Sequence, residues 1–315
     1  MYSTSQEWVW NFGDLPSQLT SPDTSRVRVV SIPYEGTVTY GRGTHQGPRA
    51  IIEASRQLEL WDEELQCEPS QAGIVTEVPL QCLSSGPEDV LKQIHEHVRG
   101  SLDKAVFGVY LGGEHSITVG VVRALVDIYP RFSVLQLDAH ADLRDSYLGS
   151  SCNHACVMRR VGELVPFVGM GIRSFCREEA QFIREKGVVH QSAFQVEHSN
   201  EWQAVLESVL QDDVYLTVDV DVFDPSFVPS VGTPEPGGLS WQRVLDIIRF
   251  VASRRRLIGA DVVELAPIPG LVAPDFLVAK LVYKIIGYAT MFSQGKSTSG
   301  QVAPTVRPPN SMDLP

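Results

Sequence analysis

In the stretch "VLQLDAHADLRD", Asp138, His140 and Asp142 follow four mostly apolar residues at strict two-residue spacing. Asp219 and Asp221 show the same spacing at the end of a β-branched run, in "TVDVDVFDPSFVPSVGTPEPGGL". In "YLGGEHSIT", His115 stands just past the pair Gly112 and Gly113, at the entrance to a helical pattern. Taken singly, each has an ordinary explanation as a helix-start histidine or a solvated strand end. Along a strand, residues i, i+2 and i+4 point to one side. The spacing therefore predicts that Asp138, His140 and Asp142 converge on one face if strand geometry persists that far, with Asp219 and Asp221 meeting them from another strand. Four carboxylates in a partly dry cleft repel one another and raise their own pKa values, so a cation must compensate. Two divalent ions would balance the four aspartates, and an oxygen-rich set with one histidine nitrogen per ion suits Mn²⁺ better than a closed thiolate zinc site does. Two ions roughly 3.5–4 Å apart can acidify and orient a shared water, which is hydrolase chemistry.

Short β-branched runs alternate with amphipathic patterns along the chain, the signature of βαβ units. The predicted strands cover 26–32, 105–112, 131–138, 165–172, 187–190, 214–221 and 257–265. Helical patterns lie near 47–60, 87–101, 116–128, 176–186, 201–210, 240–254 and 275–292. The expected fold class is α/β, a three-layer doubly wound, mostly parallel sheet flanked by helices. In such sheets ligands gather outside the carboxyl ends of the strands, and His115, Asp138 and Asp219 all fall there. Residues 1–293 are expected to form one domain whose N-terminal arm packs through Trp8 and Trp10. Residues 294–315, rich in Ser, Gly and Pro, read as a tail.

Composition narrows the partners. A formal charge of −12 argues against nucleic acid, which needs a cationic face, and tolerates a cationic ligand. No apolar run approaches the roughly 20 residues that span a bilayer. The five cysteines do not make a disulfide framework; Cys152 and Cys156 lack a second Cys/His pair at zinc spacing and are expected to be free thiols. No basic start followed by an apolar core opens the chain, so a cytoplasmic location is expected.

The segments "LGGEHSITVG", "VLQLDAHAD" and "TVDVDVFDPSFVPSVGTPEPGG", with "YEGTVTYGRGTHQGPRAI" near the start, resemble the signature segments of the ureohydrolases, the arginase and agmatinase family, over residues 28–292. The resemblance implies a binuclear manganese hydrolase that cleaves a guanidino compound to urea and an amine. It makes His115, Asp138, Asp142 and Asp219 ligands of one Mn²⁺ ion and His140, Asp138, Asp219 and Asp221 ligands of the other. It implies that Asp142 carries a proton to the leaving nitrogen, that His154 in "SCNHACV" is a proton relay, and that Glu264 in "DVVELAP" pairs with the substrate guanidinium. A planar guanidinium takes a carboxylate bidentately, which orients its carbon. The family also implies a homo-oligomer, a trimer or hexamer.

Substrate choice rests on loops. Arginases hold the amino-acid head of arginine through an Asn soon after the DxHxD segment and a Thr/Ser-Gly-Asn run. Here those places read "LRDSYLGSSCNHA", which resembles agmatinase instead. Agmatine ends in an ammonium, so an acidic wall would suit it, with Asp145 and Glu235 as its expected carboxylates. Guanidinobutyrase and guanidinopropionase share the catalytic residues but take a carboxylate tail, which Arg144 could favour; arginase and formimidoylglutamase are further alternatives. A catalytically dead regulatory homologue and a related metal-dependent deacetylase are readings from other classes. The complete set of six ligands counts against the first, and the absence of a histidine pair before the first metal motif counts against the second.

Overall fold

Eight strands form one sheet in which every neighbouring pair is parallel, in the order β2-β1-β3-β8-β7-β4-β5-β6. The computed structural model describes residues 11–82 and 86–294. Along the chain the elements are β1 Val27–Ile32, α1 Gly47–Ser55, β2 Ile74–Thr76, α2 Pro87–Ser101, β3 Phe107–Gly112, α3 Ile117–Val126, β4 Ser133–Leu137 and α4 Val157–Gly162. They continue with β5 Phe167–Ile172, α5 Arg177–Lys186, β6 His190–Ser192, α6 Ala193–His198, α7 Glu201–Val209, β7 Asp213–Asp219, α8 Trp241–Arg254, β8 Arg256–Val263 and α9 Ala273–Gln294.

Parallel neighbours cannot be joined by a tight turn, so each return passes through a connection that lies on a face of the sheet. Helices therefore cover both faces, and β3 and β4 are buried at every position. One apolar cluster joins Val29, Val109 and Leu216 to Ile51, Ile248 and Ile285 of α1, α8 and α9. The other joins Val30, Tyr110 and Tyr215 to Ile94, Val121 and Met158 of α2, α3 and α4. This is the expected three-layer α/β architecture, with a sheet that is wholly parallel. No helix among the described residues is long and apolar enough to cross a membrane.

The differences from expectation are local. β2, α4 and α6 are too short to show a period, and the strand expected over 187–190 forms instead as β6. β4 ends at Leu137, so Asp138 lies beyond the strand that was to carry it. α9 runs through Gln294, so the first residue assigned to the tail continues a helix. Trp8, Trp10 and residues 295–315 lie outside the described residues.

The order of the strands positions the site. After β3 the chain skips two places before laying down β4, and β7 and β8 later fill the gap, so β3, β8, β7 and β4 stand side by side. Such a reversal of direction opens a crevice at the carboxyl ends. Close backbone lacing shapes it: Glu114 N donates to Tyr34 O and Glu264 N to Gly113 O, both at 2.8 Å. Gly113 is required there, because a Cβ would lie 2.0 Å from the Tyr34 carbonyl oxygen.

Candidate metal centre

Beyond β4 the backbone turns. Arg173 N donates to Ala139 O at 2.8 Å, Ala141 N donates to Ser174 O at 3.2 Å, and Asp142 has a left-handed φ of 52°. The expectation that strand geometry carries Asp138, His140 and Asp142 onto one face is thus corrected: the turn brings them together. Asp219 closes β7, and Asp221 lies in a single 3-10 turn, Val220–Val222, in which Asp219 Oδ1 accepts from Asp221 N at 2.9 Å.

Two groups of side chains could hold a metal ion: His115, Asp138 and Asp219, and Asp138, His140 and Asp221, with the ligand atoms of each group within 4.8 Å of one another. Asp138 belongs to both. Its Oδ2 lies 3.2 Å from His115 Nδ1 and its Oδ1 lies 3.8 Å from His140 Nδ1. Asp142 Oδ2 and Asp219 Oδ2 lie 3.2 and 3.4 Å from His115 Nδ1, and Asp221 Oδ2 lies 2.8 Å from His140 Nδ1.

These residues fit a cation. His115 Nδ1 is buried and has no aligned hydrogen-bond partner, although three carboxylates ring it. Its other nitrogen is held from behind: Nε2 meets Thr217 Oγ1 at 2.8 Å, and Thr217 Oγ1 donates to Asp261 Oδ1 at 2.6 Å. Thr118 and Tyr215 donate to Asp261 Oδ2. Because the Thr217 hydrogen goes to Asp261, Thr217 can only accept from Nε2–H, which leaves Nδ1 as the nitrogen that faces the acids.

The crowded acids repel one another. Burial, with Asp221 and Asp142 beside it, pushes Asp138 up to about 7, and burial with Asp221 and Asp138 raises Asp219 well above the usual range. Burial opposes charge on His140, but Asp221 and Asp138 outweigh it and push the imidazole up to about 11. In return, the His140 charge overcomes burial and holds Asp221 down at about 2. A cation held among these groups would relieve the repulsion that raises them.

The acids open into a cavity of about 360 Å³ whose walls include His115, His140, Asp142, His154, Asp219 and Glu264. Glu264 follows β8 with a φ of 66°, a conformation rare for a non-glycine residue, and its Oε1 accepts from His115 N at 2.6 Å. Burial and the nearby Glu114 raise its pKa well above the usual carboxylate range. His154 opens the 3-10 turn His154–Cys156, capped by Asn153. The flanking Cys152 and Cys156 are free and buried, as expected.

Asp145 does not form the acidic wall. It lies past the left-handed Asp142, its side chain is 77% exposed, and Arg160 binds it at 3.0 Å. Glu235 does not line the cavity either; its carboxylate accepts from Ser174 Oγ at 2.9 Å, and Ser174 is the residue that reaches the wall. Arg144 does line it, with its guanidinium 4.6 Å from the centroid of the Tyr147 ring. Sequence reasoning missed Glu114, Thr37, Thr217 and Asp261. A signal existed for Asp261, an acid inside the apolar run 257–263, where a charge demands partners.

The family model described as the Arginase family matches residues 25–287. The chain belongs to the arginase family. Among the similar arginase-family proteins, the N(1)-aminopropylagmatine ureohydrolase of Synechocystis sp. is 43% identical over 86% of this chain and 91% of its own. The agmatinase of Pyrococcus horikoshii is 34% identical over 82% and 90%. The crystal structure of the agmatine ureohydrolase of Thermoplasma volcanium superposes with a TM-score of 0.82 at 29% identity, over 91% of this chain and 98% of that one. The chain is accordingly a hydrolase of the agmatinase-like ureohydrolase type, acting on a guanidino compound.

Proposed function

We propose that this enzyme is a binuclear manganese hydrolase whose substrate is agmatine, released as putrescine and urea. The observation that carries the reading is Glu264, a buried acid with a raised pKa, hydrogen-bonded to the backbone of His115 and facing the cavity that holds the metal-type groups. Such a carboxylate is stabilised when a cation arrives beside it. His115, Asp138, Asp142 and Asp219 would hold one ion, and His140, Asp138, Asp219 and Asp221 the other. When bound, the pair supplies a Lewis acid and a water acidified enough to attack at neutral pH.

The chain's own groups do the rest. Glu264 takes the guanidinium N–H groups and orients the carbon. Water oxygen adds to that carbon and the bond to the alkyl nitrogen breaks; Asp142 carries a proton to the departing amine, and His154 exchanges protons with solvent. A homo-oligomer and a cytoplasmic location belong to the same reading. Val272, 73% exposed beside the exposed Ile268 and Phe276, supports assembly, which light scattering on the eluted protein tests.

The second reading is N(1)-aminopropylagmatine as substrate, favoured by the 43% identical relative of that name. Urea release from agmatine, N(1)-aminopropylagmatine, 4-guanidinobutyrate and arginine, each with Mn²⁺, decides. We expect the cationic tails to give the highest kcat/KM. A preference for 4-guanidinobutyrate would transfer the tail site to Arg144, and no urea from any guanidine would overturn the reading.

Two expectations follow for the metals. Thr217→Val removes the acceptor behind His115 and should weaken metal binding roughly 10–100-fold, while Thr217→Ser should keep it; isothermal titration with Mn²⁺ compares them, and equal affinities would refute the orienting role. The second concerns pH. Asp138 titrates near 7 in the folded chain against an ordinary 3.8, so the folded state binds the proton more tightly, and metal-free stability should fall as pH climbs through that window. The charge on His140 acts in the same sense, present below its ordinary pKa and lost only as pH nears about 11. Asp221 acts in the opposite sense, but only as pH falls toward about 2. Bound metal removes the need for those protons. The rise in Tm on adding Mn²⁺ should therefore be larger at about pH 8 than at about pH 5, and differential scanning calorimetry giving equal shifts would contradict it.

A further inference from the structure

We propose that Thr37 and Glu114 act as positioning residues that lock His154 in the tautomer carrying its hydrogen on Nδ1, so that Nε2 is the nitrogen that exchanges protons. Thr37 lies in the loop after β1, and Glu114 immediately follows the glycine pair that closes β3.

Glu114 is fully buried, and donors converge on both of its oxygens. Oε2 accepts from Gly36 N at 2.7 Å and Thr37 N at 2.6 Å, and Oε1 accepts from Thr37 Oγ1 at 2.7 Å and Ser116 Oγ at 2.5 Å. An oxygen set met by donors on every side serves as acceptor throughout. The single hydroxyl hydrogen of Thr37 is thereby committed to Glu114. One lone pair of Thr37 Oγ1 accepts from the backbone N of His154 at 3.0 Å. The remaining contact is His154 Nδ1, at 3.1 Å. With no hydrogen left to give, the hydroxyl can only accept there, so Nδ1 must carry one.

The consequence is functional. A neutral imidazole has one basic nitrogen, and this network decides which. Nδ1 keeps its hydrogen in both the neutral and the charged ring, and the whole proton exchange falls to Nε2. The Tyr147 ring packs against the same imidazole in a T-shaped arrangement, with centroids 6.3 Å apart. The loop 35–41 thus does more than wall the cavity; it sets the direction in which His154 gives and takes a proton. The catalytic part of this inference rests on His154 as a proton carrier, whereas the tautomer stands on hydrogen bonding alone.

The test separates the two. Nitrogen-15 NMR of the full-length chain labelled at its eight histidines, with diamagnetic Mg²⁺ added as the metal probe, reads the tautomer; His154→Asn assigns the signals. We expect the neutral His154 ring to show a protonated Nδ1 and a bare Nε2, with Thr37→Ser preserving that pattern and Thr37→Val losing it. In Mn²⁺ enzyme turning over a guanidine, Thr37→Val should lower kcat roughly tenfold to a hundredfold with little change in KM, Thr37→Ser should restore it, and in a His154→Asn background Thr37→Val should cost nothing further. A hydrogen on Nε2 in the unsubstituted chain overturns the proposal outright, whatever the substrate proves to be. So does a Thr37→Val loss that is just as large without His154.

Discussion

Asp138→Ala is expected to end urea release and to abolish metal binding, beyond the roughly 10–100-fold that loss of an outer partner costs a metal site. The reason is geometric. Asp138 is the residue common to both groups that could hold an ion, with one oxygen turned toward His115 and the other toward His140. The side chain is completely buried and its pKa is pushed up to about 7, so its removal relieves repulsion in the metal-free protein. The variant should therefore fold, and its metal-free form should equal or exceed the parent in Tm. Metal content by plasma mass spectrometry, read beside the urea assay, separates a lost site from a lost fold. Parental activity, or two retained ions per chain, would show that neither group needs the shared carboxylate to hold an ion.

The second large effect is expected at Glu264. Glu264→Gln keeps the shape and the contact with His115 N but removes the charge that faces the cavity. Loss of one partner of a buried charge pair costs about 2–5 kcal/mol, which is tens-fold to thousands-fold in kcat/KM. Metal content should stay at the parental level, which distinguishes this variant from Asp138→Ala. The substitution should not strain the fold more than the parent residue does, since the left-handed backbone is already occupied by a non-glycine side chain. Because the acid's raised pKa is relieved only by a cation, neutral ureas should bind parent and variant alike. If Glu264→Gln turned over guanidines at the parental rate, the guanidinium would have to be held elsewhere.

The fold class is legible in the sequence. Runs of β-branched residues marked the long strands, and the chemistry did sit at their ends, because a parallel sheet offers its crevice there. The strand argument for Asp138, His140 and Asp142 expects one extended face, whereas a turn beyond β4 brings these side chains together. An alternating pattern does not report where the backbone stops being extended, and Asp142 turns left-handed two residues after His140. Nor does an alternating pattern report that Asp145 lies exposed against Arg159 and Arg160. Thr37 and Glu114 were invisible for another reason. They are far apart in sequence, each is unremarked alone, and only the closeness of the loops after β1 and β3 makes them a unit. Hydrogen-bond networks are properties of the assembled fold, and short patterns do not contain them.

The strand order bears on how the molecule comes into being. The metal-type groups and Glu264 follow β3, β4, β7 and β8, and of these strands the two central ones, β7 and β8, come last in the sequence. Until β7 and β8 lie between β3 and β4, His115 and Asp138 have no Asp219 or Glu264 to face them. Pairings this distant form late and slowly. The site is therefore complete only once β7 and β8 are in place, and a fragment that stops before β7 lacks Asp219, Asp221 and Glu264.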